Sequence, residues 1–263
     1  MAGDGGGERR DHRVRAPPVA GQLRLEHHAD EERVAGQLDR AARADVRRAA
    51  AEPGHLLRLA ATPLAINATL AGRLATARER LPRLDVHLRT CGHQEVAAAV
   101  AGGEADLALA DGITAPSDPV RLPETGPMTA TGVSEEDLLV MLPPGHPLAR
   151  RTALRLADLI DARWLQSPLC PLERLRELAG DGFRADVAYD GGDVHTVLTL
   201  VAAGHGLTLL PASARPAGPC TGVRLAEPRL VHRVELLHGA LPPGPAAQVA
   251  AMLAGEDASE DGS

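Results

Sequence analysis

Residues 56–112 read LLRLAATPLAINATLAGRLATARERLPRLDVHLRTCGHQEVAAAVAGGEADLALADG, and their rhythm decides the fold. Leu56–Ala61 is a short apolar run of strand length. Thr62 then offers an N-cap oxygen and Pro63 a first-turn proline, which predicts a helix running on to about Arg80. Leu64, Ala68, Ala71 and Ala75 mark one face of that helix, and Leu81-Pro82 ends it. From Leu84 to Thr90 the period changes to two, with Leu84, Val86 and Leu88 alternating against Asp85, His87 and Arg89. After the loop Cys91-Gly92-His93 comes a second helix over 94–101, then Gly102-Gly103 and a strand over 106–110. The order β-α-β-α-β is that of a parallel sheet joined by crossover helices.

The same logic continues downstream. Asp137–Leu142 reads as a strand closed by Pro143-Pro144, and a short helix near 156–160 precedes a strand at Arg163–Gln166. A helix over 172–179, a strand over 184–189, a helix over 194–203 and a strand over 207–210 follow. Arg233–Leu237 reads as a returning strand and 246–253 as a closing helix. Two α/β lobes of about a hundred residues each are implied. Ligands in such folds are expected where helix N-termini face strand ends.

Composition narrows the function classes. All 28 basic residues are arginine, against 35 acids, for a net charge of −7. Trp164, Phe183 and Tyr189 are the whole aromatic complement, so the core rests on Ala, Leu and Val. Readers of single-stranded nucleic acid stack bases on aromatic platforms, which this chain lacks. An acidic balance gives no general attraction to phosphate backbones or anionic membranes. Cys91, Cys170 and Cys220 are odd in number and far apart, so neither a disulfide framework nor a metal site is expected. Residues 1–15 contain no apolar signal core, and no apolar run is long enough for a membrane span, so the expected compartment is the cytoplasm.

Residues 1–55 differ from the rest. They hold ten arginines and ten acids, leaving the whole charge excess to residues 56–263. We read 1–25 as disordered and 26–55 as a linker-like helix, with Val34, Leu38, Val46 and their alanines three or four apart. Residues 255–263 form an acidic tail.

The candidate ligand residues follow from helix starts, whose free N–H groups and dipoles favour an anion. Thr62 and Pro63 open one helix, Cys91, Gly92 and His93 precede another, Gln166 and Ser167 lie ahead of a third, and Asp193 opens a fourth. Each has a plainer role open to it: Thr62 and Asp193 as N-caps, and Asp111 as a turn residue before Gly112. His93 could donate a hydrogen bond as a neutral ring or bind more strongly when charged. No nucleophile elbow, phosphate loop or dinucleotide fingerprint occurs, and Glu135-Glu136-Asp137 read as a solvated lead-in to a strand. No catalytic residue, cofactor or metal ligand is assigned.

The pieces LRLAATPLA (57–65), LATARERLPRLDVHL (74–88), EVAAAVAGGEADLALADG (95–112), LLVMLPPGHPLARR (138–151), LADLIDARWLQSP (156–168) and VLTLVAAGHGLTLLPASA (197–214) together resemble the effector-binding domain of LysR-type transcriptional regulators. Each is weak alone; their order and spacing over some three quarters of the chain are specific. The resemblance implies a two-lobed, periplasmic-binding-protein-like (type 2) α/β fold over 56–254. Lobe one would hold about 56–130 plus 235–254, and lobe two about 131–234. It also implies a small effector between the lobes, which in view of the helix starts is expected to bear a carboxylate, and control of transcription through a rearranging homodimer. Such regulators usually begin with a winged helix-turn-helix, whose pattern and positive charge are not found in 1–55. Direct DNA binding is therefore expected only if that element is supplied upstream or by a partner. A stand-alone solute-binding protein, or a small enzyme on the same fold, is the alternative.

Overall fold

The computed structural model describes residues 56–214 and 218–255. The linker-like helix, the segment before it and the acidic tail expected from the sequence lie outside these residues. Lobe one is built first. Strand β1 (Leu56–Ala61) pairs in parallel with β2 (Asp85–Thr90) on one side and β3 (Leu107–Thr114) on the other. Helix α1 (Ala68–Arg80) connects β1 to β2, and α2 (His93–Ala101) connects β2 to β3. This is the β-α-β-α-β order expected.

One boundary differs. Asn67, not Thr62, caps α1, accepting the Leu70 N–H at 3.0 Å, while Thr62–Ala65 forms a separate turn closed by Ala65 N–H to Thr62 O at 3.1 Å. Asn67 has the extended backbone an N-cap needs and a short oxygen-bearing side chain, so it outcompetes the threonine five residues earlier. The intervening turn is thereby left free to make contacts of its own.

The paucity of aromatics shapes the packing. On one face of lobe one's sheet, α2 sets Val96, Ala97, Ala99 and Val100 against Ala60, Ala108, Ala110 and Leu237. Small residues let helix and sheet backbones approach closely, and interiors tolerate few voids. On the other face Leu57, Leu59, Leu107 and Leu109 meet α1 through Leu70 and Ala77, and the closing helix α5 (Pro245–Ala254) through Val249, Ala250 and Leu253.

Strand β4 (Thr129–Leu142) is eight residues longer at its start than the apolar pattern predicts. Its first half, TATGVSEE, buries only Val133, so hydropathy does not mark it; its partner β10 (Val231–His238) does. Beyond Asp137 the same strand runs between β8 (Thr208–Pro211) and β9 (Thr221–Glu227) of lobe two. The main sheet thus runs β2-β1-β3-β10-β4-β9-β5, β5 being Ala153–Arg155, with β8 also on β4. A parallel pair, β6 (Arg163–Gln166) and β7 (Arg184–Ala188), joins the β8 side where Leu165 N–H donates to Leu207 O and Leu207 N–H to Arg163 O, both at 2.8 Å.

Helices α3 (Leu172–Ala179) and α4 (Val194–Ala202) complete lobe two, at the places the sequence predicts. The core of lobe two holds Trp164 and Phe183 edge to face, centroids 5.6 Å apart, with Leu138, Val140, Leu172 and Leu175 around them. The Trp164 indole N–H is satisfied by Leu159 O at 3.1 Å.

Candidate functional site

Thr62 stands at the C-terminal end of β1, beside β3. Its N–H donates to Leu109 O at 3.0 Å, and its hydroxyl accepts the Asp111 N–H at 2.9 Å while donating to Asp111 Oδ1. Both residues are buried, Thr62 to 1% exposure and Asp111 to 5%. Asp111 is no turn residue: it and Gly112 lie inside β3, opposite Val234 and Arg233 of β10. Cys91 follows β2 and ties back through its N–H to Ala61 O at 2.9 Å. Gly92 caps α2, with Glu95 reaching back to its N–H at 3.4 Å. His93 opens the helix, half-buried, with Nε2 donating to the Asp111 carbonyl at 2.8 Å.

Register adds two residues that the sequence reading left out. His232 on β10 lies opposite Ile113 of β3 and opposite Glu136 of β4. Side chains of directly opposed residues share a face, and Asp111 is two residues from Ile113, so Asp111, His232 and Glu136 face the same way. His232, 2% exposed, donates through Nε2 to Asp111 Oδ2 at 3.0 Å, and its Nδ1 lies 3.7 Å from Glu136 Oε1. Glu136 also receives the Ser213 N–H at 2.7 Å and its hydroxyl at 2.8 Å, from the short 3-10 turn after β8. Far from being solvated, Glu136 links β10 to lobe two.

These contacts set the charges. Burial drives the Asp111 carboxyl up, but the His232 hydrogen bond and charge, His93 and Thr62 together hold it below its ordinary value. Glu136 is lowered against burial by His232 and Ser213. Burial acts to lower His232, yet the two carboxylates prevail and push it up to about 9.

In lobe two, Gln166 turns toward α3, its Oε1 accepting the Leu172 N–H at 3.1 Å. Ser167 is 1% exposed, and its Oγ has no hydrogen-bond partner among the described residues. A buried hydroxyl without a partner is costly, and Thr125 and Thr208 carry hydroxyls in the same state. Asp193 is exposed and caps α4 through the Thr196 N–H at 2.7 Å and hydroxyl at 2.6 Å.

The turn after Thr62 brings the two sets together. Leu64 belongs to the same apolar cluster as Leu165 and Leu169, which flank Gln166 and Ser167. Pro63 lies so close to Gly192, next to Asp193, that a Cβ on that glycine would be 2.6 Å from Pro63 Cγ. Pro63 and Leu64 thus meet the start of α4 and the end of β6, and Thr62, next to Pro63, carries the bonds to Asp111, which His93 also contacts. Among the described residues no group of three or more His, Cys, Asp and Glu is arranged to hold a metal ion.

A two-lobed α/β unit with polar residues gathered at the strand ends between its halves is the form of a small-molecule sensor domain. The family model "LysR substrate binding domain" matches residues 50–255, and the chain belongs to that family of regulators, whose effector-binding domain it carries. Among curated relatives, a "Probable hydrogen peroxide-inducible genes activator" of Mycobacterium avium is 34% identical over 61% of this chain and 50% of its own length. The "Transcriptional dual regulator GltC" of Bacillus subtilis is 30% identical over 52% of this chain and 44% of that protein. The chain spans half or less of the length of these two relatives, both of them transcriptional regulators by name. Its fold is that of the oxidized form of OxyR (TM-score 0.60, 21% identity, 78% of this chain and 96% of that one). The BenM effector-binding domain with its effector benzoate is equally similar (TM-score 0.60, 20% identity, 78% and 92%).

Proposed function

We propose that this chain senses a small, carboxylate-bearing metabolite held between its lobes and passes the bound state to transcription through the arrangement of a dimer. The observation that carries the reading is the convergence of Thr62, Pro63, His93 and Asp111 with the segments of Ser167 and Asp193 at one junction. The N-terminus of α2, which His93 opens, favours an anion through its dipole, and His232 offsets the charge of Asp111, whose carbonyl His93 contacts. Ser167 contributes an unpartnered hydroxyl. Peroxide sensing, suggested by one relative's name, finds no support in the buried Cys170, whose thiol burial pushes up to about 11.

Among the described residues strand β2 is a sheet edge showing Leu88 to 44%, and the buried residues of α1 are Leu70 and Ala77. We assign the dimer contact to these two elements. Target DNA would be reached through a helix-turn-helix supplied upstream or by a partner, in the cytoplasm. No helix among the described residues is long and apolar enough to cross a membrane.

The test is a thermal-shift screen with small carboxylates. An effector at a hundred times its Kd adds about 2.7 kcal/mol of stability. Stabilisation that Ser167→Ala and Thr62→Val both weaken supports the reading. A ligand that stabilises the chain through residues outside this junction would overturn it.

A further inference from the structure

Both ring nitrogens of His232 face carboxylate oxygens: Nε2 lies 3.0 Å from Asp111 Oδ2, and Nδ1 lies 3.7 Å from Glu136 Oε1. A neutral imidazole carries one N–H and one lone pair. In either tautomer that lone pair would point at an anion inside the protein, with no donor between them. Nδ1 makes no hydrogen bond among the described residues, so a proton there is favoured by the charge of Glu136 and not by a bond. The geometry therefore calls for the imidazolium, in keeping with the upward shift that the carboxylates impose. The remaining groups about this cluster are Thr62 and His93, which bond to Asp111, and Ser213, which bonds to Glu136; Arg174 bonds to the carbonyl of Ile113 and to Glu177. Arg233, Glu135 and Glu235, at the adjoining positions along these strands, pair among themselves.

The cluster, called the floor because Thr62 ties it to the junction, has a charge that follows by addition. Asp111 and Glu136 give minus two, and His232 brings the sum to minus one. We propose that His232 is a positioning residue of the effector site: it holds Asp111 against Thr62 and cancels one of the two negative charges of the cluster, and so lessens the repulsion that an anionic effector meets there. This rests on the inter-lobe junction being the effector site, and names what tunes its affinity for an anion. The dependence arises because a charge is felt over several ångströms in a partly desolvated interior, where water does not screen it.

The experiment uses the full chain and three pairs of probes of opposite charge: benzoate and benzamidine, acetate and methylamine, succinate and 1,4-diaminobutane. Binding is followed by amide chemical shifts of Thr62, His93 and Ser167 in the wild type, H232Q, E136Q and H232Q/E136Q. The floor charges are minus one, minus two, zero and minus one in that order. The carboxylates are expected to bind H232Q about tenfold more weakly than the wild type and E136Q more tightly, the order of effect expected for a unit charge in an interior of effective dielectric constant about 20. The double variant, with its charge restored, is expected to regain wild-type affinity, and the amines to follow the reverse order. A merely structural histidine would not be rescued by a second substitution, and the double variant keeps the test open if H232Q alone fails to fold. Carboxylate affinity that ignores floor charge, while the junction still responds in the wild type, overturns this proposal alone. No response to any of the six probes in the wild type overturns the effector reading of the junction, and this proposal with it.

Discussion

His232 Nε2 donates to Asp111 Oδ2 at 3.0 Å, and the two residues are 2% and 5% exposed. They lie 121 positions apart in the chain and meet because β10 inserts between β3 and β4. Burying either charge alone would be strongly unfavourable; paired, each stabilises the ionised form of the other.

The pair makes stability depend on pH in a defined direction. The folded His232 value, about 9, lies above its ordinary 6.5, so its contribution is complete below pH 6.5 and is lost as pH rises through 9. Asp111 and Glu136 are lowered, so theirs is present above the ordinary carboxylate range and is lost as pH falls through their folded values. Urea unfolding should show a plateau from about pH 5 to 6.5 and a decline on the order of 3 kcal/mol by pH 9.5. H232Q should lose that alkaline decline. A wild-type curve flat from pH 6 to 9.5 would show that His232 is not held as the cation.

Thr62→Val removes both the acceptor of the Asp111 N–H and the donor to its carboxylate. Leaving these buried groups unpaired should cost about 1–3 kcal/mol, whereas Thr62→Ser, which keeps the hydroxyl, should lose less than half of that. Equal losses in the two variants would mean that the methyl group, not the hydroxyl, matters at this position.

Gly192→Ala would place a Cβ 2.6 Å from Pro63 Cγ, across the junction between the lobes. The overlap should destabilise the chain by about 1–3 kcal/mol. Adding Pro63→Ala should recover most of the loss, because the atom in the way is then gone. A double variant no more stable than Gly192→Ala would place the strain elsewhere.

The thiols should react in order of access. Cys170 is fully buried with its thiol raised to about 11, while Cys91 and Cys220 are half-buried and raised to a lesser degree by burial. In native buffer a disulfide reagent should label Cys91 and Cys220 first, and Cys170 only as the chain unfolds. Rapid native labelling of Cys170, or its oxidation by dilute peroxide, would restore a redox reading of the site.

Leu64 is 6% exposed in a cluster of lobe-two residues although it belongs to the turn after β1. Leu64→Ala should cost about 2–4 kcal/mol and raise amide exchange at Leu165 and Leu169. Unchanged exchange at both would mean that the turn does not hold the end of β6.

Much of the fold was legible because its elements announce themselves locally. The apolar runs of β1, β6 and β8 and the helix over 194–202 follow from period and length alone. The opening half of β4 was not legible: TATGVSEE has little to bury, and its strand conformation comes from hydrogen bonds to β10. The short β5 and the strand β9 escaped for the same reason, being set by their pairing more than by pattern. Of the site, the residues next to helix starts could be named, because a helix start is a local signal. His232 and Glu136 could not, since a histidine and a glutamate on polar-looking strands become one cluster only when register places them side by side.

By itself the sequence determined the order of most strands and all the helices, the aromatic-poor core, the acidic charge of residues 56–263 and the family resemblance. All of these depend on residue types at short spacing. Only the tertiary structure decided that Asn67 and not Thr62 caps α1, that Leu64 reaches into lobe two, and that Asp111, His232 and Glu136 share one buried face. The physical reason is the two-residue repeat of a strand. A slip of one residue between β10 and its neighbours would turn His232 to the opposite face and break its pairing with Asp111, and register is set by long-range pairing.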